Sequence, residues 1–289
     1  MNNYLIFLDA SADIDLAYAK QNNVGFVYMN YTYDDVLGKI KGNETDEELN
    51  CFYELVKSGK LPSTSQIAPY LYEELFTKYL KEGTSILYLC LSSKLSSTYQ
   101  SAILASKNLK DAYPESDFVV VDSLSAAGGI GILAERAVNN KNNGLSIFDN
   151  AKDLENLRSK IFINTVVEDL MHLKRGGRVS AATAFVGTVL GIKPIIKVND
   201  GKLEVFEKKK GIRQATNFII ENYKNNAKLD SDLSVYVLHS GNLAMLDYTT
   251  TKIKELNPNA KIVTKMITPI IGAHVGPGAI AICAEGLNN

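Results

Sequence analysis

Hydroxyl groups gather in four short segments of this chain, each beside an apolar run. Asp9-Ala10-Ser11-Ala12-Asp13 follows Tyr4–Leu8, and Pro62-Ser63-Thr64-Ser65-Gln66 precedes a helical pattern. Ser92-Ser93-Lys94-Leu95-Ser96-Ser97-Thr98-Tyr99-Gln100 follows Ser85–Leu91, and Asp122-Ser123-Leu124-Ser125 follows Phe118–Val121. Taken singly, Ser, Thr and Asp in such places are helix caps that satisfy the orphan N–H groups of a first turn. Taken together they bring several helix N-termini and hydroxyls to one edge, and such an edge favours a bound anion. Two later segments add cations and a histidine. Lys174-Arg175-Gly176-Gly177-Arg178-Val179-Ser180 sets positive charge around a glycine pair and reads as an exposed turn. Ile271-Gly272-Ala273-His274-Val275-Gly276-Pro277-Gly278 places a histidine among residues that permit close backbone approach.

Several catalytic templates fail on these residues. Asp9-Ala10-Ser11 has no second Asp two residues on, as an aspartate-nucleophile phosphatase would need to hold magnesium. There is no G-x-S-x-G elbow and no phosphate-binding G-x-x-x-x-G-K-[ST] loop. Gly129-Ile130-Gly131-Ile132-Leu133-Ala134 spells a dinucleotide fingerprint, but it begins several residues after its strand, so helix packing explains it better. No His, Asp and Glu spacing suggests a metal site. His172 and His239 have no partner that the sequence identifies.

Short apolar runs and helical patterns alternate to position these loops. Tyr4–Asp9 and Val24–Met29 are short apolar runs, and Ser85–Leu91 and Phe118–Val121 are continuous ones, as strands buried on both faces should be. Helical spacing is expected within Asp13–Gln21, Thr45–Lys57, Ile67–Leu80, Ser97–Leu109 and Ala126–Val138. Beyond Lys160, Ile192–Val198 and Lys202–Phe206 flank Asn199-Asp200-Gly201, a hairpin signal. A helix at Ile212–Tyr223, a strand at Ser234–His239, a helix at Leu243–Leu256 and strands at Lys261–Ile267 and Ala279–Ala284 follow. Met266–Ala284, uncharged but broken by Pro and Gly, reads as strand, loop, strand and not as a membrane span. The expected fold is α/β in two units. Residues 1–160 form a parallel layered sheet carrying the hydroxyl loops, residues 161–289 form a mixed sheet, and a ligand lies in the cleft between them.

Composition bounds the function. The 289 residues are 46% hydrophobic and 22% charged, the balance of a soluble globular protein. Thirty-one Lys and Arg against 32 Asp and Glu leave a net charge of −1, which argues against a nucleic-acid partner. The N-terminal run is interrupted at Asp9, too early for a signal peptide. Cys51, Cys90 and Cys283 lie far apart, so neither a disulfide framework nor a zinc site is expected, and a reducing cytoplasm is the expected setting.

Read in order, the motifs resemble those of the DegV family of bacterial fatty-acid-binding proteins. They are D-x-S-x-D at Asp9–Asp13, P-x-T-S-Q at Pro62–Gln66, L-S-S-x-L-S-x-T-Y-Q-S-A at Leu91–Ala102 and Val121-Asp122-Ser123. G-G-R-x-S at Gly176–Ser180, Ile192-Lys193-Pro194-Ile195 and G-A-H-x-G-P-G at Gly272–Gly278 complete the set. The resemblance covers essentially the whole chain. It implies two α/β domains with a long-chain fatty acid between them, no other cofactor, and a fatty acid kinase as partner. It implies that Thr64 and Ser96 hold the carboxylate with His274 nearby, and that Asp9, Ser11, Ser65, Ser97, Gly272 and Ala273 belong to the head-group loops. Arg175 and Arg178 would engage the kinase. Ala10, where the family usually has Ser or Thr, and Ser97, where it usually has Gly, are departures that touch lipid selectivity at the pocket mouth. Phe185, Val189, Leu190, Ile271 and Val275 are candidates to line the tail. The alternative reading is a hydrolase or phosphotransferase that uses Ser96 or Asp9 at the cleft, with His274 as acid or base. An activated serine there would still need the base and its orienting group.

Overall fold

The computed structural model describes residues 4–179 and 191–287. Its first sheet has the order β2-β1-β6-β7, from Val24–Val27, Tyr4–Asp9, Ser85–Cys90 and Phe118–Asp122, and every pairing is parallel. Parallel strands must be covered on both faces. Helices α3 (Pro69–Lys81) and α4 (Thr98–Ala112) cover one side, and α5 (Gly128–Asn142) and α6 (Ile147–Arg158) the other. The second sheet has the order β10-β9-β8-β13-β11-β12, built from Lys202–Lys210, Ile192–Asn199, Ile161–Val166, Ile280–Glu285, Val235–His239 and Ile262–Met266. It mixes parallel and antiparallel pairs, as the hairpin signal implies. Asp200 and Gly201 take φ of 45° and 76° and close that hairpin between Asn199 and Lys202. The tip reaches the first sheet, where Ser92 Oγ donates to the Gly201 carbonyl at 2.8 Å.

Local rules account for most boundaries. Helix α2 (Asp46–Lys57) opens on a capping box between Thr45 and Glu48, with acids in its first turn and Lys57 in its last. Leu49, Phe52, Tyr53 and Val56 make its buried stripe. Helices α8 (Ile212–Asn226) and α9 (Leu243–Leu256) flank β11 in sequence. Short helices α1 (Leu16–Gln21) and α7 (Met171–Arg175) complete the first half and precede the cationic turn.

Two expectations are corrected. Val24–Met29 is not one strand: β2 ends at Val27, and β3 (Met29–Tyr33) starts a separate antiparallel sheet with β4 (Val36–Ile40) and β5 (Ser63–Thr64). Asp34 and Asp35, at φ of 43° and 63°, form the turn between β3 and β4, so the continuous apolar run conceals a change of sheet. Met266–Ala284 is not strand, loop, strand, because Pro269–Val275 forms helix α10. Pro269 stands in its first turn, where a missing N–H costs nothing, and Gly276 ends it at φ 73°. Buried Phe52, Tyr53, Met266 and Ala273 join α2 to α10. Among the described residues, no helix is long and apolar enough to cross a membrane.

Candidate functional site

A largely apolar cavity lies between the two sheets. One wall is the inner face of the second sheet. Strand register puts Leu238, Ala281, Thr165 and Ile196 in one row across β11, β13, β8 and β9. Cys283 and Ile163 stand in the next row. Leu91, Leu95, Ala126 and Ala127 come from loops of the first sheet, and Ile270, Ile271 and Val275 from α10. Ile271 and Val275 therefore line the cavity as the sequence suggested. Phe185, Val189 and Leu190 lie outside the described residues.

Polar side chains collect at the end beside α10. Thr64, Ser65, Gln66, Ser96, Arg178 and His274 all line the cavity. Their loops are tied together by hydrogen bonds. Thr64 Oγ1 lies 2.9 Å from His274 Nε2. Ser96 Oγ lies 2.9 Å from Thr98 Oγ1, and the Ile67 N–H donates to Thr98 Oγ1 at 3.3 Å. Arg178 Nε donates to the Leu95 carbonyl at 3.0 Å, and its Nη1 donates to the Gly176 carbonyl. Two hydroxyls, a histidine and a guanidinium thus meet in a space whose walls are mostly apolar, with Thr165 and Lys197 the polar residues of the sheet wall. Such a set can hold a carboxylate, while the apolar walls offer contact to an acyl chain.

The state of His274 follows from its surroundings. Burial pushes its pKa down to about 4, and Arg178, Arg175 and His172 add to the effect, so it is neutral near pH 7. Its Nδ1 is buried without a hydrogen-bond partner among the described residues and lies against Gly176, where a Cβ would collide with the ring. An unmet acceptor costs less than an unmet N–H donor, which places the proton on Nε2. Nε2–H then donates to Thr64 Oγ1, and the Thr64 hydroxyl proton is available to the cavity. Gly176 has helical φ of −69°, so space rather than backbone freedom is what it provides.

Other expected head-group residues sit elsewhere. Asp9 and Ser11 are both fully buried and do not line the cavity. Asp9 accepts from the Leu91 N–H at 2.5 Å, the Ser11 N–H at 3.0 Å and the Ser11 hydroxyl, which ties the end of β1 to the end of β6. Burial raises the Asp9 pKa, against these hydrogen bonds. Ser97 is exposed, and Ala10 belongs to the core, so neither departure from the family pattern touches the cavity wall. Gly272 and Ala273 are buried on the side of α10 that meets Phe52 and Tyr53 of α2. The cationic turn is not uniformly exposed: Arg175 is, but Arg178 folds inward and is half-buried. Paired glycines let the chain turn back, and the guanidinium finds carbonyl acceptors there. Ser96 has Thr98 and not His274 as its hydrogen-bond partner among the described residues, so the pair lacks the geometry of an activated serine.

Gln66, Leu95, Ala126 and Cys283 were missed as lining residues. The period-two spacing of Ala281 and Cys283 on a buried strand was the available signal for one of them. Burial pushes the Cys283 thiol well up, so it behaves as an apolar wall group. The remaining histidines have structural partners. His239 Nδ1 accepts from the Gly241 N–H at 3.1 Å, and His172 Nδ1 lies 3.2 Å from Arg175 Nη2. Among the described residues no group of His, Cys, Asp and Glu could hold a metal ion.

Comparisons with known proteins bear on the family and the fold. The family model described as "Uncharacterised protein, DegV family" matches residues 3–286. A DegV domain-containing protein of Clostridium perfringens is 32% identical over 283 residues, covering 98% of this chain and 97% of its own. A protein of Thermotoga maritima named "Fatty acid-binding protein" is 30% identical over 288 residues, covering 98% and 97%. The crystal structure of a DegV lipid binding protein from Thermotoga maritima superposes with a TM-score of 0.87 at 27% identity, covering 99% of each chain. With an ordered motif set, the matching pair of sheets and a family match over nearly its whole length, the chain belongs to the DegV family.

Proposed function

We propose that this protein binds a long-chain fatty acid between its sheets and presents the carboxylate to a fatty acid kinase in the cytoplasm, itself performing no chemistry. The observation that carries this reading is a mostly apolar cavity with the hydroxyls of Thr64, Ser65 and Ser96 gathered beside neutral His274. Thr64 and Ser96 each donate to the carboxylate. His274 stands behind Thr64, and Arg178 supplies positive charge without a fixed ion pair to the head group. A carboxylate held by hydroxyls keeps its oxygens accessible to phosphoryl transfer. The tail supplies the affinity: burying ~15 methylenes at ~0.8 kcal/mol each contributes about 12 kcal/mol before ordering costs.

The kinase interaction rests on Arg175 and Arg178, which border the polar end. Exposed Arg175 is the better placed to meet an acidic surface, and half-buried Arg178 to meet the arriving phosphate. Mass spectrometry of the purified protein after incubation with palmitic acid tests the binding step. A stoichiometric palmitate adduct is expected, and absence of any retained lipid sinks the proposal. Kinase-coupled turnover of the loaded protein tests presentation. Arg175→Ala is expected to retain lipid and lose turnover.

A further inference from the structure

Behind Ser96 stands a hydroxyl that does not line the cavity. Thr98, at the start of α4, is 0% exposed, and its Oγ1 has two partners among the described residues, the Ile67 N–H at 3.3 Å and Ser96 Oγ at 2.9 Å. Ser96 Oγ in turn receives the Thr98 backbone N–H at 3.2 Å. Either hydroxyl could donate in the contact between them, and burial decides which does. Were Ser96 the donor, the Thr98 proton would be enclosed with no acceptor, an arrangement folded proteins avoid. With Thr98 as donor every group is satisfied except the Ser96 proton, and Ser96 lines the cavity.

We infer that Thr98 is a positioning residue: it fixes Ser96 as a hydrogen-bond donor into the cavity, through a relay that runs from the Ile67 N–H to Thr98, to Ser96 and on to a carboxylate. The inference rests on the proposal that Ser96 meets the head group. It makes the two arms of the site equivalent in logic though not in residue type. A neutral histidine Nε2–H backs Thr64, and a buried threonine O–H backs Ser96. Each lining hydroxyl has its oxygen occupied as an acceptor and its proton left over, so the pair selects an acceptor ligand before any ligand arrives. Such preorganisation also discriminates, because an anionic carboxylate gains more from two fixed donors than a neutral alcohol does. Ile67 adds a structural consequence: the relay joins the loop carrying Thr64 to the loop carrying Ser96, which fixes their separation.

The test measures the affinity of the full chain for palmitate and for 1-hexadecanol, with the thermal midpoint recorded alongside. Thr98→Val keeps the shape and removes the donor. It is expected to weaken palmitate about fivefold while leaving hexadecanol within about twofold. Thr98→Ser restores the hydroxyl and the parent's preference for the acid. Should the valine variant not fold, Thr98→Ala gives the same readout. Equal weakening of both ligands by the valine or alanine variant would reduce Thr98 to a packing role and overturn the inference. So would unchanged palmitate affinity in that variant when Ser96→Ala weakens it. If Ser96→Ala itself leaves palmitate binding intact, the head-group reading fails first and takes the relay with it.

Discussion

Two sets of polar segments, one following β1 and the other made by β5 and the loop after β6, do opposite things with the same residue types. At Asp9–Asp13 the side chains are turned inward and hydrogen-bonded, apart from Asp13 Oδ2, which has no partner among the described residues. Asp9 collects donors from Ser11 and Leu91, and Asp13 accepts from the Thr268 N–H at 2.9 Å, pinning the start of α10. At Thr64 and Ser96 the oxygens are backed by His274 and Thr98, which leaves protons pointing into a cavity. One set ties the scaffold together and the other lines the cavity. What separates them is where the remaining capacity points. Asp9 is consumed by the donors of Leu91 and Ser11, whereas the oxygens of Thr64 and Ser96 are occupied as acceptors and keep their protons for the cavity.

The contrast is broken most severely by Thr64→Ala combined with Ser96→Ala. Palmitate affinity should fall by about 3–5 kcal/mol, two charge-assisted hydrogen bonds, and urea stability by about 1–3 kcal/mol as the His274 Nε2–H and the Thr98 hydroxyl lose their acceptors. Isothermal titration and urea melts read the two quantities separately. Asp9→Ala should do the reverse. Orphaning the buried N–H groups of Leu91 and Ser11 is expected to cost about 2–4 kcal/mol of stability, while the preference for palmitate over hexadecanol persists in the folded protein. A changed preference would move Asp9 into the site.

A pH experiment sharpens the comparison, because Asp13 in one region and His274 in the other are displaced with opposite effects on stability. Burial raises the Asp13 carboxyl to about 6, against the lowering by Lys265. Asp13 therefore favours folding below about pH 4, and that contribution is lost as pH rises through about 6. His274, held down to about 4, contributes stability above about pH 6.5 that is lost as pH falls through about 4. The two slopes oppose each other in the parent. Asp13→Asn should unmask the histidine, making stability fall more steeply on acidification from pH 6.5 to 4, by on the order of 2 kcal/mol. His274→Gln should reverse the slope. Parallel curves for all three proteins would refute both assignments.

The smallest effect is expected from Gly176→Ala. Its backbone tolerates alanine, but the added methyl meets the His274 ring, so stability should drop about 1–2 kcal/mol and palmitate binding should weaken with it. Pairing it with His274→Ala should recover most of the stability loss, which a double-mutant cycle will register as coupling.

Sequence periodicity carried the long elements well. The bounds of α9 match the expected Leu243–Leu256, and the Asp200–Gly201 hairpin was visible from its turn chemistry. It failed at α10, where Pro269 and Gly272 argue against a helix locally, and where contact with α2 supplies what propensity lacks. Strand β8 and helix α6 also went unnoticed: Ile161–Val166 interrupts its apolar run with Asn164, whose side chain is satisfied only in the fold, by Asn222 and the Ile163 carbonyl. Thr64, Ser96 and His274 were legible through resemblance. That Asp9 faces away from the cavity, that Arg178 is half-buried, and that Thr98 stands behind Ser96 were not, since each depends on a partner tens of residues away or on which neighbour is solvent-free.

Strand β13 lies between β8 and β11, although more than a hundred residues separate it from β8 in sequence. During translation the first sheet has all its strands once residue 122 has emerged. The second has a gap through its middle until Ile280–Glu285 leaves the ribosome. Ala281 and Cys283, two wall positions of the cavity, arrive with that strand. The cavity wall of a nascent chain is therefore expected to stay open until that one central strand pairs with both of its neighbours.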